Sequence, residues 1–166
     1  MQQMHSMSDI SGAASAFVAS YAAAMALGAD PSNTLPAVAD ALASHYPLST
    51  TFTALAFGTV SLLPDRAKSA QSVLEHLERF AHSGLGIDIF MEKHRIEVVS
   101  PGSALCWITW AIRPSDGTKG WNWENVYGYR RVAGPEGSEP IQHWEFAIAD
   151  HEIGELLQRK PSIMTF

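Results

Sequence analysis

Three stretches decide the fold: Ala104-Leu-Cys-Trp-Ile-Thr-Trp-Ala-Ile-Arg113, Trp121-Asn-Trp-Glu-Asn-Val-Tyr-Gly-Tyr-Arg-Arg-Val132 and Ile141-Gln-His-Trp-Glu-Phe-Ala-Ile-Ala149. Each is rich in aromatic and β-branched residues and repeats with a period of two, so each predicts a strand. In the middle run Trp121, Trp123, Asn125, Tyr127, Tyr129 and Arg131 share one face, and Asn122, Glu124, Val126, Gly128 and Arg130 share the other. Residues 85–99 show the same period and end at Ser100-Pro-Gly-Ser103, which reads as a tight turn; longer Gly/Pro loops join the remaining strands. Short links between consecutive strands predict an antiparallel meander.

Upstream the period is helical. Phe17, Tyr21 and Met25 mark a first helix over about 9–27, ended by Gly28 and Asp30-Pro31. Ser32, Asn33 and Thr34 offer capping oxygens to a second helix, with Pro36 in its first turn and Pro47 closing it. Residues 50–63, rich in Thr, Phe and Val, read as one strand or irregular extended segment bent at Gly58. Pro64-Asp65 opens a third helix carrying Val73, Leu74, Leu77 and Phe80, with Gly84 beyond its end. A short last helix has Asp150 as its cap, Glu152 and Glu155 early, and Arg159 and Lys160 late, as the helix dipole prefers. The order α-α-β-α-β-β-β-β-α places helices first and strands later, an α+β pattern. A curved antiparallel sheet forming a cone, with helices on its concave face, satisfies it. The expected division is a flexible N-terminus over 1–8, a single domain over 9–160 and a C-terminal tail over 161–166.

Composition narrows the function. The chain has 166 residues, 46% hydrophobic and 17% charged, enough for one well-formed core. The net charge is −6 and no basic run exists, which argues against nucleic-acid binding. Cys106 is the only cysteine, so zinc ribbons and internal disulfides are excluded, and a reducing, cytoplasmic setting fits. Residues 10–29 carry no charge, yet the stretch is Ala/Ser-rich and no Lys or Arg precedes it, so it reads as a helix of a soluble domain rather than a signal or membrane span. No spacing characteristic of a metal site, phosphate loop or nucleotide cofactor is present, so neither metal nor cofactor is expected.

Tyr21-Ala-Ala-Ala-Met-Ala-Leu-Gly-Ala-Asp30, Leu42-Ala-Ser-His-Tyr46 and Ile141-Gln-His-Trp-Glu145, in this element order, resemble the NTF2-like or SnoaL-like α+β cone superfamily over about residues 9–160. The superfamily includes ketosteroid isomerases, polyketide cyclases, dehydratases, fungal natural-product isomerases and non-enzymatic transport factors, so the resemblance implies a fold more than a reaction. It puts the acid/base carboxylate of the cyclases at Glu145 and the oxyanion-donating tyrosine of the isomerases at Tyr21. Those isomerases also carry an aspartate after the second helix, where this chain has Leu48-Ser-Thr-Thr-Phe-Thr-Ala and no carboxylate.

Strand alternation places Glu145 with His143, Ala147 and Ala149, opposite Trp144, Phe146 and Ile148. That face is either a pocket, with Glu145 as acid/base and His143 setting its protonation, or a solvated surface. Tyr21 is either an oxyanion donor or a core tyrosine. The aromatic face with Trp123, Asn125 and Tyr127 either walls a polycyclic ligand or packs against a second subunit. Tyr46 lies where a cone's mouth is expected. Asp88 either contacts substrate or pairs with Arg113 or Arg131. The expectation is a cofactor-free isomerase, cyclase or dehydratase acting on a hydrophobic, oxygenated secondary metabolite, with a non-catalytic binding or dimerisation module as the alternative. Large apolar groups on both sheet faces predict a homodimer packed through the outer face.

Overall fold

The computed structural model describes residues 7–165, so most of the expected flexible segment 1–8 lies outside the described residues. Four helices, α1 (Met7–Ala26), α2 (Leu35–Ala43), α3 (Arg66–His82) and α4 (Asp150–Arg159), pack against six strands. The strands are β1 (Phe52–Ala56), β2 (Thr59–Leu63), β3 (Ile89–Ser100), β4 (Ser103–Ile112), β5 (Trp121–Val132) and β6 (Ile141–Ile148). They form one open sheet in the order β2-β1-β6-β5-β4-β3. The last four make the expected antiparallel meander. The β1–β6 pair is parallel, linking the early part of the chain to its end.

Residues 50–63 are not one bent strand but a hairpin. Phe57 (φ 49°) and Gly58 (φ 72°) both turn left-handed, the geometry that joins two antiparallel strands by a two-residue loop. A bulky residue at positive φ is unusual, which is why Phe-Gly gave no hairpin signal. The tip is tied down from outside, because the Phe57 amide donates to the Asp150 carboxylate. Asp150 therefore does not cap α4, whose N-cap residue is Ala149. The other caps match their sequence signals. Thr34 accepts from the Ala37 amide and Asp65 from the Lys68 amide.

One side of the sheet carries the core. Ala104, Cys106, Ile108, Trp110 and Ile112 of β4 point there, as do Trp121, Trp123, Asn125, Tyr127 and Tyr129 of β5; all are buried. Helix α1 lays Ile10, Ala14, Val18 and Tyr21 into this core, against β3 and β4. The segment Asp9–Ala29 is long and apolar enough to cross a membrane by length and composition (mean hydropathy 1.5), yet this edge of it packs inside the domain. Gly28, just after α1, is needed for contact: a Cβ there would lie 2.4 Å from the Ile87 carbonyl oxygen. The end of α2 is pinned twice. Trp144 donates its amide to the His45 carbonyl, and Arg66 reaches the Tyr46 carbonyl through two guanidinium nitrogens. Residues Pro161–Thr165 form a 3-10 turn with Ile163 buried against the domain.

Strand β6 departs from simple alternation. Gly128 of β5 faces Phe146, but the next residue, Tyr129, faces Trp144. Glu145 is the extra residue of a β-bulge. The bulge keeps Trp144 and Ala147 both on the core side and sends Glu145 and Phe146 to the bare side. The expected grouping of Glu145 with Ala147 and Ala149 on one face is thus corrected. Gly128 makes the bulge possible, since a Cβ there would meet the Phe146 ring at 2.3 Å.

Candidate functional site

Between the hairpin, α3, α4 and the sheet lies a cavity of about 540 Å³, within the range of small-molecule sites. Its floor is made of buried residues, among them Tyr21, Tyr46, Phe52, Trp110, Asn125 and Tyr127. Its mouth is bounded by exposed residues: Phe57, Thr59 and Ser61 of the hairpin, Glu75 of α3, Leu157 of α4 and Met164. One wall is small and flat. Ala54 and Ala56 of β1 lie beside Ala147 and Ala149, with Ala54 directly paired to Ala147.

The polar groups in this cavity form a chain. His76 on α3 meets Glu152 on α4, Nε2 to Oε1 at 3.2 Å. Asn125 Nδ2 donates to the other Glu152 oxygen at 3.3 Å and to the Tyr127 hydroxyl at 3.3 Å. Trp110 Nε1 also donates to Tyr127, at 3.0 Å. Tyr127 thus accepts twice, and its own O–H proton has no acceptor among the described residues. Tyr21 and Tyr46 share a 2.6 Å hydrogen bond; whichever donates, the other keeps a proton to give. Burial drives the phenol pKa upward at all three, to about 12 at Tyr46 and well above the ordinary value at Tyr21 and Tyr127. These tyrosines therefore stay protonated and act as hydrogen-bond donors, not bases.

The Glu152 side chain is only 12% exposed. A buried carboxylate needs partners, and His76 and Asn125 supply one for each oxygen. A carboxylate only accepts, so His76 donates Nε2–H to Glu152, which leaves Nδ1 as the ring nitrogen turned away from that contact.

Of the residues expected from sequence, Tyr21, Tyr46, Asn125 and Tyr127 line the cavity together. Trp123 faces the same side but is packed into the core near Phe80, off the cavity wall. Asp88 pairs with Arg113 at 3.3 Å, the second of its two readings. Glu145 and His143 sit on the bare side of the sheet, where Arg130 donates to Glu145 at 3.1 Å and His143 stands 3.9 Å from the same oxygen. Burial lowers the His143 pKa, with Glu145 opposing that shift. Sequence reading missed His76 and Glu152. They lie on different helices, and only the folded helix pair brings them together. A second depression, over Trp121 and Asn122, holds two internal contacts, Asn122 donating to Glu92 and Arg159 to Glu155, while Trp121 Nε1 is buried there without a partner among the described residues.

No protein-family model matches the chain, and no curated protein matches it in sequence. Solved structures do. A domain of unknown function with a cystatin-like fold from Nostoc punctiforme superposes with a TM-score of 0.56 at 16% identity, covering 92% of this chain and 85% of its own. An NTF2-like protein of unknown function from Shewanella oneidensis superposes with a TM-score of 0.54 at 9% identity, covering 80% of this chain and 91% of its own. The chain has the NTF2-like fold.

Proposed function

We propose that the cavity is the site of a cofactor-free proton-transfer enzyme, an isomerase, cyclase or dehydratase acting on a hydrophobic, oxygenated small molecule. The observation that carries this reading is the chain His76–Glu152–Asn125–Tyr127, which sets a base and a hydroxyl donor in one apolar chamber. The His76–Glu152 pair removes a proton from carbon next to a carbonyl. The developing enolate oxygen receives hydrogen bonds from Tyr127 and from the Tyr21–Tyr46 pair. The proton then returns to another carbon, giving isomerisation, or a β-hydroxyl leaves with it as water, giving dehydration. At the buried floor of the cavity, where Tyr21, Tyr46 and Tyr127 lie, each of these hydrogen bonds is stronger than in solvent. His76 and Glu152 here take the acid/base role that the resemblance put at Glu145 and the strand pattern offered His143 to support, while Tyr21 keeps the donor role.

Exchange of α-protons tests the reading without the natural substrate. The protein should speed deuterium uptake at the activated methylene of 2-tetralone in D2O above the buffer rate. Ligand binding without exchange would favour the second reading, a non-catalytic binding module, for which the full engagement of both Glu152 oxygens speaks.

We also propose a homodimer through the bare sheet face, in the cytoplasm. Strand pairing sets Val60, Leu55, Ile148, Val126 and Trp107 in one row across five strands. Val60 is 59% exposed and its neighbour Leu62 65%, and adjoining exposed apolar side chains of this kind mark interaction faces.

A further inference from the structure

The cavity has further polar groups beside His76 that the proton-transfer reading does not use. Ser69, Ser72, His76 and Arg79 recur at three, four and three residues along α3, one face of the helix, and all line the cavity. Thr59 and Ser61 of β2 turn to the same space, because they pair with the wall residues Ala56 and Ala54. The hydroxyls of Thr59, Ser61 and Ser72 and the guanidinium of Arg79 bond to no described residue. Ser69 is fully buried and its hydroxyl is likewise without a partner.

The charges near these groups are already engaged. Glu152 is held by His76 and Asn125 at the inner end. Glu75, one turn before Arg79, accepts from Gln71 at 3.2 Å. Arg79 is therefore the lining cation with no carboxylate bound to it. A guanidinium fits the two oxygens of a carboxylate, and the hydroxyls that line the same cavity add donors along it. One cation balances a monoanion, and a doubly charged phosphate monoester would leave excess negative charge beside Glu75.

We propose that the cavity takes an amphipathic carboxylic acid, its apolar body against the alanine wall and the tyrosines and its carboxylate on Arg79, with the hydroxyls of the lining beside it. This rests on the cavity being a ligand site, not on its carrying out proton transfer. The acid group sets orientation: it holds one end at Arg79 and presents the far end to Tyr127 and Glu152.

Three probes of one shape test it: 2-naphthoate, 2-naphthol and 2-naphthylmethylammonium, titrated by calorimetry into wild type, Arg79→Gln and Arg130→Gln, the last removing a cation on the bare sheet face. Naphthoate should bind about 10-fold tighter than naphthol, as a charge-assisted hydrogen bond predicts. Arg79→Gln should bring naphthoate down to the naphthol level and leave naphthol unchanged, while Arg130→Gln should keep the preference. Equal binding of naphthoate and naphthol would overturn the proposal. So would tightest binding of the ammonium, or an acid preference that survives in Arg79→Gln or vanishes in Arg130→Gln. If no probe binds, the ligand site itself falls and the proposal with it. If naphthoate is preferred through Arg79 but 2-tetralone shows no exchange, the acid site stands and the proton-transfer reading alone is lost.

Discussion

His76 and Glu152 are 76 residues apart in sequence and 3.2 Å apart in the fold, each from a different helix and both on the wall of one cavity. Neither faces solvent fully: their side chains are 34% and 12% exposed. Such a pair has one oriented imidazole and one desolvated carboxylate, a combination associated with proton transfer.

Tyr127 gives the first prediction. Tyr127→Phe removes the donor to a bound oxyanion and also strands the Trp110 and Asn125 N–H groups that now bond to it. Exchange at 2-tetralone should slow by roughly 10²–10³-fold, and stability should fall by about 1–3 kcal/mol. Tyr21→Phe leaves the Tyr46 hydroxyl in place and should slow exchange less. Equal effects of the two variants would mean that Tyr127 has no special donor role.

A second prediction concerns pH. His45 is buried, with Nδ1 against the Ala41 and Leu42 carbonyls and Nε2 2.9 Å from the Ser20 hydroxyl. Burial holds its pKa below the ordinary 6.5, as it does for His143. The unfolded chain therefore binds these protons more readily than the folded one. Their contribution to stability is complete above about pH 6.5, fades as pH falls toward each folded pKa, and is absent below. Urea midpoints should drop between pH 7.5 and 5, and the drop should be shallower in His45→Gln. A midpoint that rises on acidification would reverse the sign argued here.

Backbone contact gives a third. Gly28→Ala would put a methyl group 2.4 Å from the Ile87 carbonyl oxygen. Because the obstacle is backbone, the turn after α1 must shift, and the loss should be about 1–3 kcal/mol. Gly12→Ala, where no atom lies within 4 Å of the new carbon, should instead stabilise by a few tenths to about 1 kcal/mol. Thermal melts of the two variants that moved together would contradict this account of the turn.

The sheet strands were readable because alternation is a local signal. Tyr21, Tyr46, Asn125 and Tyr127 were legible as cavity residues for the same reason: each falls on an inward phase of its own helix or strand, or at its end. Glu145 was misplaced because alternation carries across a strand only when nothing interrupts it. The bulge opposite Gly128 and Tyr129 shifts the phase by one residue, and its cause is a cross-strand contact between Gly128 and Phe146. The Phe57-Gly58 turn escaped notice because it lacks the residues such turns favour. His76 and Glu152 left no trace in the chain at all. A pair that meets only through helix packing has no spacing to read.

Assembly supplies a fourth prediction. The apolar row through Ile148 lies on the sheet face opposite the core, which none of the described helices covers. Light scattering should give about twice the chain mass at micromolar concentration, and Ile148→Lys should halve it without changing the circular dichroism spectrum. A wild-type mass equal to one chain would remove the dimer.

The central claim is that the chemistry belongs to the interior carboxylate and not to the one on the bare face. The two lie on opposite sides of the sheet, and Glu152→Gln and Glu145→Gln are the same chemical change, so deuterium uptake by 2-tetralone separates them directly. Glu152→Gln should lower the catalysed rate by about 10²–10⁴-fold, with Glu145→Gln within about twofold of wild type. A Glu152→Gln protein that exchanges at the wild-type rate, or a Glu145→Gln protein that loses exchange, would contradict the account.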